Sequence, residues 1–535
     1  MRYAVAVFAL LCTPLAAAAA GPTYASILEL QAPDMVLKVQ TLGTEQRMHC
    51  NTDTLACQSV DLAFALETPP VVNQNLSLPP GASWVTRSPD GRYAAYYIPA
   101  TQKRSIRTFG ILDTQTGKTY TSTEKNISYW DLLSEGVRIF SFSPDSKKLL
   151  YVSDKAGPPT LYQVNLASLK SKEFTSTRLI SRSYSVSDFG WIDAETLYFS
   201  ANRENPYAWN LYRYQPKNGK LSTIAEQVSY GSTVRRVGDS LVFITLEGNV
   251  AVPKKYSIEK NTLDTFRVPG MAATQAPQAK IVVHAGLTGA YWPSVATTTL
   301  VVWLHGGPYR QTSSGYHSYF SYAGYDWMLG ELVAAGVPVL KLDYPGSFGY
   351  GRPFAESIRN KVGTKDVTDT TLAVTQFAKA RGFKNIYVVG NSYGGYLAGK
   401  LLVEKPNTFR GAFAIAGVWD WSVLTQQLHT SIFNVHFNGV EDAKNGKLYA
   451  AASIYDRLEK ISTQNIIIAH GTSDMTIPFA QSQSAYDILT FLGKRVTLLP
   501  FQDEDHVLKK KESFITLCRS VLVFAGASPD GRCAL

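Results

Sequence analysis

The sequence predicts two domains in tandem: an all-β unit of repeated strands, then an α/β unit built on a doubly covered, mostly parallel sheet. Three observations carry this. The chain has 535 residues, more than one hydrophobic core usually supports. Its first half repeats a turn-then-strand pattern at a spacing of roughly 50 residues. Its second half alternates apolar strand runs with helical stretches, the pattern of strands buried on both faces.

In the first half, Ser88-Pro89-Asp90-Gly91-Arg92 precedes the apolar run Tyr93-Ala94-Ala95-Tyr96-Tyr97-Ile98. Proline presets φ for a turn and glycine takes the position needing φ > 0, so the stretch reads as turn then strand. The unit recurs as Ser143-Pro144-Asp145-Ser146 before Leu149-Leu150-Tyr151-Val152. Divergent copies are Asp193-Ala194-Glu195 before Leu197-Tyr198-Phe199, and Gly238-Asp239-Ser240 before Leu241-Val242-Phe243. A period near that of a propeller blade predicts a β-propeller over 21–275, with a β-sandwich as the competing architecture. At blade lengths of roughly 40–45 residues the segment holds about six blades. The stretch 271–279, rich in Ala, Gln and Pro, reads as a linker, and the α/β domain is expected over 276–535.

The first twenty residues read as an export signal: Arg2, an apolar stretch over 4–15, and Ala18-Ala19-Ala20 as a cleavage site. That assigns the mature protein to the periplasm or the exterior. The apolar run is too short to span a membrane comfortably. Removing it takes Cys12 away and leaves Cys50, Cys57, Cys518 and Cys533. The simplest of three pairings is Cys50–Cys57 with Cys518–Cys533, and no C-x-x-C spacing points to a metal. Formal net charge is +10, but the Lys and Arg residues are spread along the chain. They read as a solvated surface rather than a nucleic-acid footprint.

Strand runs over 300–304, 337–342, 385–389, 465–469 and 495–499 alternate with helical patterns such as 366–381 and 480–492. In such sheets chemistry sits at the C-terminal strand ends. Gly390-Asn391-Ser392-Tyr393-Gly394-Gly395 lies between one such strand and a helical run. Small residues around the serine allow the tight strand-to-helix turn that raises Oγ above the sheet of an α/β-hydrolase. A serine hydroxyl needs a base, and the base an orienting acid. His506 follows the last strand, and Asp474 follows the strand before it. The order Ser392, Asp474, His506 is the hydrolase order. His470 competes for the role of base but ends its own strand, where a structural imidazole is expected. His305 and His317 precede the serine. Asp503, Glu504 and Asp505 read as a solvated rim. Acyl transfer also needs oxyanion donors, and His305-Gly306-Gly307-Pro308 follows the first strong strand of the domain. The backbone N–H groups of Gly307 and Tyr393 are the expected pair. This chemistry requires no metal and no organic cofactor.

Taken together, His305-Gly306-Gly307-Pro308, Gly346-Ser347-Phe348-Gly349-Tyr350-Gly351, the serine motif, His470-Gly471-Thr472-Ser473-Asp474 and Asp503-Glu504-Asp505-His506 resemble the prolyl oligopeptidase family (peptidase family S9). The resemblance implies a propeller over a hydrolase active site and cleavage of short peptides. It also implies that Trp421 and Ile477 line the pocket for the residue before the scissile bond, with Tyr393 and Tyr396 close by. An aromatic pocket of this kind suits a proline ring or an acyl chain. The sequence departs from the family in three ways. Asp343-Tyr344-Pro345-Gly346-Ser347 lacks the family's arginine, the propeller is short, and no adjacent Glu pair is present to grip a free amino end. These departures favour endopeptidase, oligopeptidase or acylaminoacyl-type action over dipeptide release, and the H-G-G-P form resembles the acylaminoacyl branch. The expected function is therefore an exported serine peptidase acting on short peptides. The alternatives are an esterase or deacylase with the same triad, or a non-catalytic binding propeller. A thiol titration of the denatured, unreduced mature protein should find no free cysteine, and four free thiols would overturn the disulfide reading.

Overall fold

The S-P-D turns of the sequence are the links between the first and second strands of successive four-stranded antiparallel sheets. The computed structural model describes residues 24–31, 33–41, 44–60, 76–100, 106–125, 138–180, 184–228, 234–247, 250–269, 279–294, 297–312, 320–427, 431–462 and 465–534. The expected export signal over 1–20 and nearly all of the 271–279 linker lie outside the described residues. Among the described residues five such sheets occur, spanning 24–60, 83–125, 140–178, 186–225 and 235–265. Blade length alone pointed to about six. The difference arises because each repeat consumes nearer 50 residues than 42, the excess lying in the connections.

Each turn is held by its own polar side chains. Ser88 Oγ donates to Asp90 Oδ1 at 2.6 Å and accepts from Tyr93 N–H at 2.8 Å. Ser143 repeats this with Asp145 at 2.6 Å and Lys148 N–H at 2.9 Å. Gly91 takes φ 74°, as a turn ending in glycine requires. Neighbouring sheets then pack face to face through aromatic and aliphatic side chains such as Phe109, Tyr151, Phe189, Leu211 and Phe243. The fifth sheet closes on the first through Val242, Ile244 and Phe266 against Met35, Leu37 and Met48. Within sheets, two glycines make room for cross-strand tyrosines: Tyr96 lies over Gly110 and Tyr198 over Gly190. Cys50 and Cys57 are joined on adjacent strands of the first sheet.

The second unit is an eight-stranded sheet. Its strands run in the order Lys280–His284, Leu287–Trp292, Val339–Leu342, Thr299–Leu304, Asn385–Asn391, Gly411–Ile415, Ile466–Gly471 and Val496–Phe501. The first three are joined by antiparallel pairings and the rest by parallel ones. Side chains of one strand alternate between two cores, as the period of two demands. Leu300, Val302 and Leu304 pack with Val374, Phe377, Leu397 and Leu401. Val301 and Trp303 pack instead with Met328, Leu332, Leu517 and Val521. Both faces are therefore covered. The Cys518–Cys533 bond ties the last helix, Lys511–Phe524, to the C-terminal segment.

The two units meet along the loop 346–351. Asn202 Nδ2 donates to Gly349 O at 3.0 Å, and Gln311 Nε2 donates to Pro206 O at 2.6 Å. Trp209 stacks on Phe348 with centroids 6.1 Å apart. The β-rich unit thus rests on loops that leave the C-terminal side of the large sheet.

A Cβ added at Gly110 would stand 2.0 Å from the Tyr96 ring, whose side chain is 1% exposed and has nowhere to move. Gly110→Ala should therefore lower the unfolding free energy of the β-rich unit by about 1–3 kcal/mol in urea titration. An unchanged midpoint would contradict this packing.

Candidate active site

Ser392 sits between the strand Asn385–Asn391 and the helix Tyr393–Glu404 with φ 56° and ψ −119°. A non-glycine residue in this region is strained by about 1–3 kcal/mol and persists only where its surroundings over-determine it. Here they do. A Cβ at Gly394 would lie 2.0 Å from Leu304 O, one at Gly390 2.2 Å from Gly394 O, and one at Gly395 2.7 Å from Ile415 O. Ser392 N–H donates to Ile415 O at 2.8 Å, and Ser392 O accepts from Tyr396 N–H at 2.9 Å. The turn is pinned to strands on both sides, and Ser392 remains partly exposed.

Register brings the glycine loop to the serine. Leu304 pairs with Gly390, so His305-Gly306-Gly307 leaves the sheet beside Asn391 and Ser392. The Cβ position of Gly306 is 3.1 Å from Ser392 Cβ. The loop is fixed from behind. His305 is buried and its Nδ1 lies 2.6 Å from Gly306 O, so that nitrogen carries the proton. Its Nε2 lies 2.9 Å from Ser347 Oγ and 3.3 Å from Asp343 Oδ1. Tyr344 Oη donates to His305 O at 2.7 Å. His305 is thereby a holder of the loop rather than a base. Gly307 has φ 138°, and the N–H of Tyr393 is among the first of its helix, which have no intrahelical acceptor.

Register also joins the other two residues. Gly471 pairs with Phe501, and the loops beyond interlock: Ser473 N–H donates to Glu504 O at 2.9 Å and Asp503 N–H to Thr472 Oγ1 at 2.9 Å. His506 Nδ1 lies 2.7 Å from Asp474 Oδ2. That oxygen also has His470 Nε2 at 3.0 Å, while Oδ1 accepts from Thr476 and Ile477 N–H at 2.7 and 2.8 Å. Burial opposes ionisation of Asp474, but the hydrogen bonds from His470 and His506, the His506 charge and the Ile477 N–H outweigh it. The carboxyl is held well below the usual range. With Nδ1 engaged, His506 has Nε2 to offer a proton donor. Ser392 and His506 are not hydrogen-bonded to each other among the described residues; such contacts often tighten only around substrate.

Asp503 is exposed and Asp505 partly so, as a solvated rim requires, but Glu504 is 2% exposed. Its carboxylate accepts from Lys509 and Lys510 N–H at 2.8 and 2.9 Å, holding the segment that leads into the helix Lys511–Phe524. The polar run in the sequence hid this buried anchor. Trp421, Tyr396 and Ile477 are buried; Trp421 and Tyr396 pack at the elbow, and Ile477 lies beside Asp474 and His470. Trp421 lies 5.3 Å from Tyr396 and 6.0 Å from Tyr393. Tyr396 Oη donates to Ala452 O at 2.9 Å.

Two residues beneath the site were given no part in it by the sequence. One is His470, which shares Asp474. The other is Asp366, fully buried, whose Oδ2 accepts from Tyr393 Oη at 2.6 Å. Burial raises its carboxyl to about 6, against the lowering effect of Tyr393 and three backbone N–H groups. A raised value means stability present below 3.8 and lost as pH rises through about 6. Asp366→Asn removes that titration, so its unfolding free energy should gain on the wild type between pH 4 and 7. A difference independent of pH would contradict the burial argument.

Residues 323–528 match the prolyl oligopeptidase family model, and residues 72–234 match that of the dipeptidyl peptidase IV N-terminal region. Acylamino-acid-releasing enzyme 1 of Oryza sativa subsp. japonica is 25% identical over 339 residues, 58% of this chain and 42% of that protein. Dipeptidyl peptidase 4 of Sus scrofa is 28% identical over 184 residues, 34% of this chain and 23% of that protein. The matched stretches thus span less than half the length of these curated relatives. A puromycin-hydrolyzing peptidase of Mycobacterium tuberculosis superposes with a TM-score of 0.69 at 15% identity, covering 94% of this chain and 77% of that one. It shares the fold throughout. Residues 323–528 are those of the prolyl oligopeptidase family of serine peptidases, preceded over 72–234 by a region of the dipeptidyl peptidase IV N-terminal type.

Proposed function

We propose that the chain is an exported serine peptidase that hydrolyses peptide bonds of short peptides through an acyl-serine intermediate. The observation that carries this reading is the 2.7 Å contact between His506 Nδ1 and the buried, ionised Asp474, beside an elbow that holds Ser392 in a strained turn.

His506 Nδ1–H donates to Asp474, which holds the imidazole in the tautomer whose Nε2 is basic. Ser392 Oγ attacks the substrate carbonyl as its proton passes to Nε2. The oxyanion is met by the N–H groups of Gly307 and Tyr393. Collapse of the tetrahedral intermediate breaks the C–N bond, and His506 returns the proton to the leaving amine. Water then repeats the sequence on the acyl-serine and releases the acid. Trp421, Ile477 and Tyr396 form the apolar ground under the acyl side of this pocket.

Short substrates are supported by the β-rich unit resting on the loops around the site. Peptide bonds are supported by family membership and by relatives named for release of acylamino acids or dipeptides. Export is supported by the signal-like first twenty residues and by two cystine bridges, which persist in oxidising compartments.

Turnover of blocked and unblocked peptidyl amides ending in Pro, Ala or Phe, beside short-chain acyl esters, tests the reading. Amides should be cleaved, and Ser392→Ala should lower kcat by about 10³-fold or more. Ester cleavage without any amide cleavage would make the protein an esterase with the same triad.

A further inference from the structure

His470 leaves the same strand as Asp474 and is 1% exposed. Its Nδ1 lies 2.6 Å from Ser482 Oγ on the helix Ala480–Phe491. Its Nε2 lies 2.8 Å from Ile477 O and 3.0 Å from Asp474 Oδ2. A carbonyl oxygen can only accept, so Nε2 carries a proton, which is shared between Ile477 O and Asp474 Oδ2, and Ser482 Oγ holds the ring from Nδ1. The Phe479 ring, edge-on at 5.8 Å, limits its rotation.

The oxygen that receives this proton is the one that receives His506 Nδ1–H. The other carboxylate oxygen is occupied by two backbone donors. Asp474 thus has a donor on every side, and His470 is one of the two that decide where Oδ2 points. We infer that His470, locked by Ser482, is a positioning residue that fixes the Oδ2 of Asp474 for His506, so that Ser482 and His470 set the efficiency of proton transfer without touching substrate. This rests on Asp474 and His506 acting as acid and base in the proposed mechanism.

Without the His470 donor, Asp474 keeps its two backbone bonds but Oδ2 is held by His506 alone. Its charge is then less dispersed and stabilises the His506 imidazolium more strongly. Two other groups face the carboxylate and are unaffected by substitution at 470. Tyr325 faces it from the helix Phe320–Ala334. His506 completes the set. The substitution should therefore lower kcat, leave KM nearly alone, and move the acid limb of the kcat/KM profile upward.

The test compares His470→Leu, His470→Gln and Ser482→Ala with the wild type in kcat, KM and pH profile on one good substrate, beside His506→Ala. His470→Leu should lower kcat on the order of tenfold to a hundredfold, the scale of one lost charge-assisted hydrogen bond, with KM within about twofold. His470→Gln, whose amide N–H can still reach Oδ2, should recover most of the loss. Ser482→Ala should lower kcat in the wild-type background and add little to His470→Leu, because the two act as one unit. Unchanged kcat and pH limb in His470→Leu would overturn the inference, as would equal losses in Leu and Gln. If His470→Leu does not fold, Ser482→Ala decides: unchanged kcat overturns the inference and a lowered kcat with an upward limb supports it. Substantial turnover in His506→Ala would instead overturn the triad reading on which the inference rests.

Discussion

The structure of the site depends on three positions that tolerate no side chain. Gly390, Gly394 and Gly395 let the chain turn from strand to helix within van der Waals reach of Leu304 O and Ile415 O. That close approach forces Ser392 to φ 56°. It also sets the distance between the elbow and the strand Thr299–Leu304, and so brings Gly306 against the serine. A methyl group at Gly394 or Gly395 would move the elbow away from a neighbouring strand, and one at Gly390 would open the elbow itself against Gly394 O, so that Ser392 and the glycine loop would part.

The same logic governs the other end of the sheet. Gly471 packs with its Cβ position 2.3 Å from Glu504 O, which locks the Asp474 loop to the His506 loop. The buried Glu504 then anchors the start of the final helix. Behind the glycine loop, Tyr344 and Ser347 hold His305. The segment that carries them, extended through Phe348 and Gly349, is the one the β-rich unit grips through Trp209 and Asn202. The scaffold for the proposed oxyanion donors is therefore continuous with the contact between the two units.

Much of this was legible in the sequence because it rests on local rules. The S-P-D turns carry their own hydrogen-bonding side chains, so they announce a strand boundary without tertiary context. The G-x-S-x-G run between a β-rich stretch and a helical stretch announces its turn for the same reason. The two disulfides were readable from an even cysteine count and short spacings, and the bridges Cys50–Cys57 and Cys518–Cys533 are those formed. What was not legible depends on residues far apart in the chain. Glu504 looks solvated in a polar run, and only the fold turns it toward the N–H groups of Lys509 and Lys510. Asp366 lies 27 positions from Tyr393, and nothing local marks it as buried. His470 was visible as a strand-end histidine, but its bond to Asp474 depends on how Ser482 and Ile477 fold back over it. Among the described residues five sheets occur where blade length pointed to about six, because the repeats run nearer 50 residues each.

The central claim is that Ser392 is a nucleophile activated by His506 and Asp474. Labelling of the intact protein with a fluorophosphonate, followed by peptide mass spectrometry, tests it most directly. The account predicts a single adduct on Ser392, formed quickly in the wild type and lost or greatly slowed in His506→Ala. An unlabelled Ser392 in folded protein, or labelling that proceeds equally well in His506→Ala, would contradict it.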